Sequence, residues 1–174
     1  MPASPLFDIP DLDFDAPAVS RQGVEAYNPH RGEMALLDGV LWDDRPSYDR
    51  AIAYHSARAD AFWVPGHIPG SPIMPGVLMV EAGAQLASYL YYAKSKATWF
   101  AGFARIEETV FRGQVVPGDT LLLLCEGIKY QPKRFITRVQ GLVGDSIVFE
   151  STITGLAFPK VPKHAPADAA GTAS

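Results

Sequence analysis

PGVLMVEAGAQLASYLYYAKS, residues 75 to 95, is the stretch on which the fold turns. Good helix formers dominate it, and a proline stands near its first turn, where a missing N–H costs nothing. The composition predicts one long helix. It is apolar nearly all round, which suits burial within a curved sheet. Glu81, Gln85 and Ser88 are the exceptions; spaced three or four residues apart, they form a short polar stripe on one face.

Working outward, the segment before the helix is built to be irregular. Phe62 to Gly76 contains four prolines and three glycines, which break any regular element and fix the route of the backbone. Further upstream, MALLDGVLWDD and SYDRAIAYH flank a turn-like Asp-Asp-Arg-Pro and read as a hairpin. Downstream the texture changes to β-branched and aromatic residues. TWFAGFARIEETVFRG, DTLLLLCEGIKY, RFITRVQGLV and SIVFESTITGLAF read as four strands separated by the turn signals VVPGD, YQPKR and GD. A hairpin, one long helix and a four-strand meander make an α+β domain, an antiparallel sheet wrapped around a central helix.

The rest of the chain sets limits. With 174 residues, 48% hydrophobic and 20% charged, it suits one globular domain. Residues 1–27 read as an acidic, proline-rich, poorly ordered arm, residues 28–158 as the folded domain, and residues 159–174 as a disordered tail. The arm carries Asp8, Asp11, Asp13 and Asp15 with no long apolar run, so no secretory or transit signal is read there, and no segment has the roughly 20 charge-free apolar residues of a membrane span. A cytoplasmic protein is expected. Net charge is −4, and residues 1–60 hold 5 basic and 11 acidic side chains, which argues against nucleic acid as partner. Lys129, Lys133, Arg134 and Arg138 form a modest basic patch that either meets an acidic protein or is a solvated strand face. Cys125 is the only cysteine, so no internal disulfide or cysteine-based zinc site forms; it reads as a small core residue.

The chemistry gathers around the helix start. A buried carboxylate is costly unless it is paired, hydrogen-bonded or protonated, so Glu81 is either functional or turned to solvent or a subunit contact. His67 lies fourteen residues earlier, among Pro65, Pro69, Pro72 and Pro75, which limit its freedom as a general base requires. The other histidines are His30, His55 and His164. Gly76 opens the helix, where N–H groups lack internal partners and a residue without a side chain lets a ligand oxygen approach. A histidine base, a carboxylic acid and an N-terminal oxyanion site suit proton abstraction beside a carbonyl followed by loss of hydroxyl.

GHIPGSPIMPGVLMVEAGAQ, residues 66 to 85, resembles the signature of the hot-dog-fold 3-hydroxyacyl-(acyl-carrier-protein) dehydratases of fatty acid synthesis: G-H-F-P-G-x-P-x-M-P-G-V-L, then E-A-x-A-Q. NPHR from Asn28, FAG from Phe100 and FRGQVVPGDTL from Phe111 resemble the family's flanking motifs. The chain departs from the pattern at Ile68, Ser71 and the segment GEMALLDGV, and the stretch between FAG and VVPGD is about three residues longer. The resemblance implies that His67 abstracts the α-proton, Glu81 helps the β-hydroxyl leave as water, and the Gly76 N–H polarises the thioester carbonyl. It places Gln85, Phe100 and Gly102 at the substrate; for Gln85, support of Glu81 and plain packing are both open. Trp63, Met79, Phe100, Phe103 and Phe111 either line an acyl tunnel or belong to the core. The family implies acyl carrier protein as partner, no metal or organic cofactor, and sites shared between subunits, hence a homodimer or a trimer of dimers. A hot-dog thioesterase and a non-catalytic acyl-binding paralogue are the competing readings.

Overall fold

The computed structural model describes residues 4–96 and 99–158. A two-residue strand β1 (Val19–Ser20) leads into helix α1 (Arg21–Tyr27), a 3-10 turn (Gly32–Met34), and the hairpin β2 (Gly39–Asp43) and β3 (Arg50–Ser56). After the proline-rich loop come helix α2 (Gly76–Ser95) and strands β4 (Phe100–Phe111), β5 (Thr120–Gln131), β6 (Arg134–Val143) and β7 (Ser146–Phe158). All pair antiparallel in one seven-stranded sheet of order β1-β2-β3-β5-β6-β7-β4.

That order corrects the four-strand meander. Only β5, β6 and β7 run as a meander; β4 does not pair with β5 but lies beside β7, at the edge of the sheet. The hairpin closes onto β5 instead. Strand β4 shifts register twice, between Phe103 and Arg105 and between Glu107 and Val110, with Glu108 in the left-handed region at φ 51°. Such bulges take up surplus residues, in the stretch that is longer than the family pattern.

Helix α2 is sheathed by the sheet. Met79, Val80, Ala82, Leu86, Tyr89 and Leu90 are buried in a core shared with Leu121, Leu123, Val139 and Phe149. Gly83 allows a close approach: a Cβ there would lie 3.0 Å from the Val139 side chain on β6. Asp43 ties the helix to the hairpin by accepting from Tyr89 Oη at 2.7 Å and from Arg45 Nε at 2.7 Å. Burial works to raise the Asp43 carboxyl, but these hydrogen bonds and the Arg45 charge outweigh it and hold it below its usual value. Cys125 is buried in the same core, and desolvation pushes its thiol well up.

The arm, expected to be poorly ordered, is anchored on the sheet through Leu6, Phe7 and Leu12, although most of residues 4–20 stay exposed. Leu6, Phe7 and Leu12 lie over Ile52, Leu124 and Leu142 on the sheet face away from α2, together with Trp42, Leu122 and Ile147. Gln140 clips the arm from both sides, accepting from Leu6 N at 3.0 Å and donating to Ser4 O at 3.2 Å. Ser20 caps α1 by accepting from Gly23 N, and Arg21 reaches Asp38 and the Ala35 carbonyl. The supposed tail, residues 159–174, lies outside the described residues, as does Thr98 at the start of the TWFAG stretch. Among the described residues no helix is long and apolar enough to cross a membrane.

Candidate active site

The polar stripe of α2 faces the segment between α1 and β2. Glu81 is mostly shielded, its side chain 16% exposed. Its Oε1 accepts from Gln85 Nε2 at 2.9 Å and lies 3.3 Å from His30 Nε2. Gln85, itself buried, donates also to Met34 O at 2.8 Å, accepts from Leu36 N at 3.0 Å, and through its backbone carbonyl accepts from Asn28 Nδ2 at 2.8 Å. Gln85 thus does both things left open for it: it holds Glu81 and welds α2 to residues 28–36.

A cavity of about 330 Å³ opens beside this cluster. His30, Glu81, Gln85 and Ser88 line it on one side, and Phe100 to Phe103 of β4 on the other. Phe100 and Gly102, expected at the substrate, are therefore brought to Glu81. A larger cavity of about 1060 Å³ adjoins it, with Phe100 common to both and Asn28 and Tyr92 in its wall. The expected tunnel residues divide: Trp63 and Met79 are core, whereas Phe100, Phe103 and Phe111 stand exposed on β4.

His67 does not line this cavity; it sits exposed in its loop, held by its own backbone N–H to Trp63 O at 2.9 Å. Its Nδ1 is 2.8 Å from the Ile73 carbonyl. A carbonyl only accepts, so Nδ1 carries a proton, and in the neutral ring Nε2 is left with a free lone pair. At Gly76 no side chain caps the first turn of α2, since its N-cap is Pro75. The room a side chain would need is filled: a Cβ at Gly76 would lie 2.8 Å from the Phe111 ring. A side chain at Gly76 would therefore have to displace the Phe111 ring of β4.

The FabA-like domain model matches residues 28–152. The chain belongs to the FabA-like family. Among relatives of this FabA-like protein, the 3-hydroxyacyl-(acyl-carrier-protein) dehydratase FabZ of Lawsonia intracellularis is 35% identical over 130 residues, 72% of this chain and 84% of the relative. The FabZ of Desulforamulus reducens is 34% identical over 126 residues, 72% and 87% of the two chains. The dehydratase heterocomplex ApeI:P from Xenorhabdus doucetiae shares the fold, with a TM-score of 0.67 and 14% identity over 79% of this chain and 91% of that one.

The family match begins at Asn28, so the arm and α1 lie outside it, while the Glu81 cluster, His67 and the β4 edge lie within. His30 was read only as part of NPHR. It stands 51 residues from Glu81, and nothing local in the sequence joins them; the fold does. Among the described residues no three His, Cys, Asp or Glu side chains gather to hold a metal.

Proposed function

We propose that this FabA-like protein removes water from 3-hydroxyacyl thioesters carried on acyl carrier protein, giving trans-2-enoyl thioesters, in fatty acid or related lipid or polyketide synthesis in the cytoplasm. The observation that carries the reading is the shielded Glu81 carboxyl, held by Gln85 and opening onto a cavity walled by Phe100 to Phe103. The names of the FabZ relatives support it.

In this reading His67 Nε2 takes the α-proton of the thioester. The electron pair of that C–H bond becomes the new double bond as the β-carbon–oxygen bond breaks, and Glu81 supplies the proton with which the hydroxyl leaves as water. Gln85 and His30 both meet Glu81 at Oε1, so Oε2 is the oxygen turned to the substrate. The Gly76 N–H, at the uncapped start of α2, polarises the thioester carbonyl while charge builds on it. After product leaves, the proton gained by His67 replaces the one lost by Glu81, and the net product is water. No metal or organic cofactor takes part.

His67 and the Glu81 cavity are not brought together within one chain, and the edge beside that cavity is bare. In our reading a second copy pairs there and supplies the missing histidine. The active unit is a homodimer, alone or in a trimer of dimers.

The test is turnover. Purified protein is incubated with 3-hydroxyacyl and enoyl thioesters of a carrier protein. Reversible loss and gain of water, reduced at least about a thousandfold in both His67→Ala and Glu81→Gln, is the expected result. Release of free thiol would make the protein a thioesterase, and binding without turnover an acyl-binding protein; either outcome overturns the dehydratase.

A further inference from the structure

Two histidines bear on this site, and their surroundings hold them in opposite protonation patterns. His67 gives its Nδ1 proton to the Ile73 carbonyl and keeps Nε2 open. At His30 the arrangement is reversed. Its Nδ1 is buried with no hydrogen-bond partner among the described residues, and its Nε2 faces Glu81 Oε1 at 3.3 Å. A proton buried on Nδ1 would be an unsatisfied donor, whereas on Nε2 it faces the Glu81 Oε1 acceptor. The neutral ring therefore carries its proton on Nε2, 3.3 Å from Glu81 Oε1.

The backbone that delivers His30 is braced more than a surface loop requires. Asn28 caps the end of α1 with its N–H to Val24 O and docks on α2 with its side-chain amide to Gln85 O. Arg31 Nη1 donates to both Asn28 O, at 2.7 Å, and His30 O, at 2.6 Å. Asn28 is buried, and the next anchor along the chain, Met34 O, accepts from the same Gln85 amide that holds Glu81. Glu81 Oε1 is thus held by the Gln85 amide of its own helix, with His30 Nε2 3.3 Å away on a segment pinned to that helix.

We propose that His30 is a positioning residue for Glu81: its Nε2–H, with the Gln85 amide, holds Oε1 so that Oε2 points into the cavity. This rests on the assignment of Glu81 as the acid. It also separates the two histidines by task. His30 has its unprotonated Nδ1 buried and no open lone pair on the Glu81 side, so it orients the acid, whereas His67 is exposed and presents an open Nε2 to act as base.

Two substitutions test it. His30→Ala removes the donor; His30→Gln keeps an N–H of similar reach. Expected is a fall in kcat of roughly ten- to a hundredfold in His30→Ala, with KM changed less than about twofold, and recovery of most of that loss in His30→Gln. Melting temperature and subunit association serve as controls for folding. A loss as deep as that of His67→Ala would instead make His30 the base, and full activity in His30→Ala, or equal damage in both variants, would remove its positioning role. A second measurement does not depend on turnover: crystal structures should show the Glu81 side chain displaced in His30→Ala and in place in His30→Gln. Glu81 unmoved in His30→Ala would overturn the proposal. Absence of any dehydration by the unaltered protein would sink the functional reading, while the Glu81 position would still decide this one.

Discussion

The sheet has two apolar surfaces beyond the core around α2, and the chain treats them in opposite ways. Over β3, β5 and β6, Ile52, Leu124 and Leu142 are buried beneath Leu6, Phe7 and Leu12 of the arm. At the other end, β4 shows Phe100, Phe103, Ile106, Val110 and Phe111, each 39–49% exposed, on a strand whose outer edge has no partner among the described residues. One surface is closed by the chain's own residues from outside the FabA-like match. The other lies inside that match, borders the Glu81 cavity, and is left open. An open, long, apolar edge is a pairing site unless it is covered. The difference teaches that the arm is cover for the molecule itself, whereas β4 is open and serves as the joint in the proposed dimer.

Breaking the joint should have the largest effect. Ile106 is exposed on β4 and does not line the Glu81 cavity. Ile106→Asp would put a carboxylate into the proposed apolar interface, so sedimentation should show monomers and dehydration should fall at least about a hundredfold, with the fold retained. An active monomer would show that β4 is not needed for catalysis.

Breaking the cover should cost stability and spare chemistry. Phe7 is half-buried over Ile52 and Leu124 and has the Arg50 guanidinium 5.3 Å from its ring centre. Phe7→Ala should lower the unfolding free energy by about 1–2 kcal/mol, read from a urea midpoint, with kcat unchanged. A large fall in kcat at unchanged stability would mean that the arm serves the site.

The smallest effect belongs to the covered end. His55 on β3 is buried, with Nδ1 donating to Leu36 O at 2.7 Å. Desolvation holds its imidazole below the usual value despite that bond and the nearby Asp38 charge. The unfolded chain then binds a proton that the folded chain refuses. This contribution is complete above about pH 6.5 and is lost as pH falls below it. Between about pH 7 and pH 5.5 the unfolding free energy should drop by up to about 1 kcal/mol, and the drop should shrink in His55→Gln; an unchanged slope would place the titration elsewhere.

The sequence showed most of what is local. The β-branched and aromatic texture of DTLLLLCEGIKY, RFITRVQGLV and SIVFESTITGLAF corresponds to β5, β6 and β7 almost residue for residue, and PGVLMVEAGAQLASYLYYAKS to α2. What it did not show depends on distant partners. Nothing in TWFAGFARIEETVFRG says that β4 pairs with β7 rather than β5, because residue texture marks a strand and not its partner. The arm reads as loose because its three apolar anchors are scattered among Asp and Pro, and their order comes from the sheet beneath. Gln85 could be placed beside Glu81 by helical spacing, but the 28–36 segment that completes the cluster could not. His30 is legible only once Asn28 is seen docked on the Gln85 carbonyl.

The central claim is that each site takes His67 from one copy and Glu81 from the other, across β4. Mixing inactive His67→Ala with inactive Glu81→Gln, under conditions that let subunits exchange, measures it directly. A mixed dimer has one site with both residues intact, so random pairing of equal amounts should restore about a quarter of the unaltered activity. If His67 and Glu81 act within the same chain, every site in every mixed dimer is damaged, and the mixture stays as inactive as its parts.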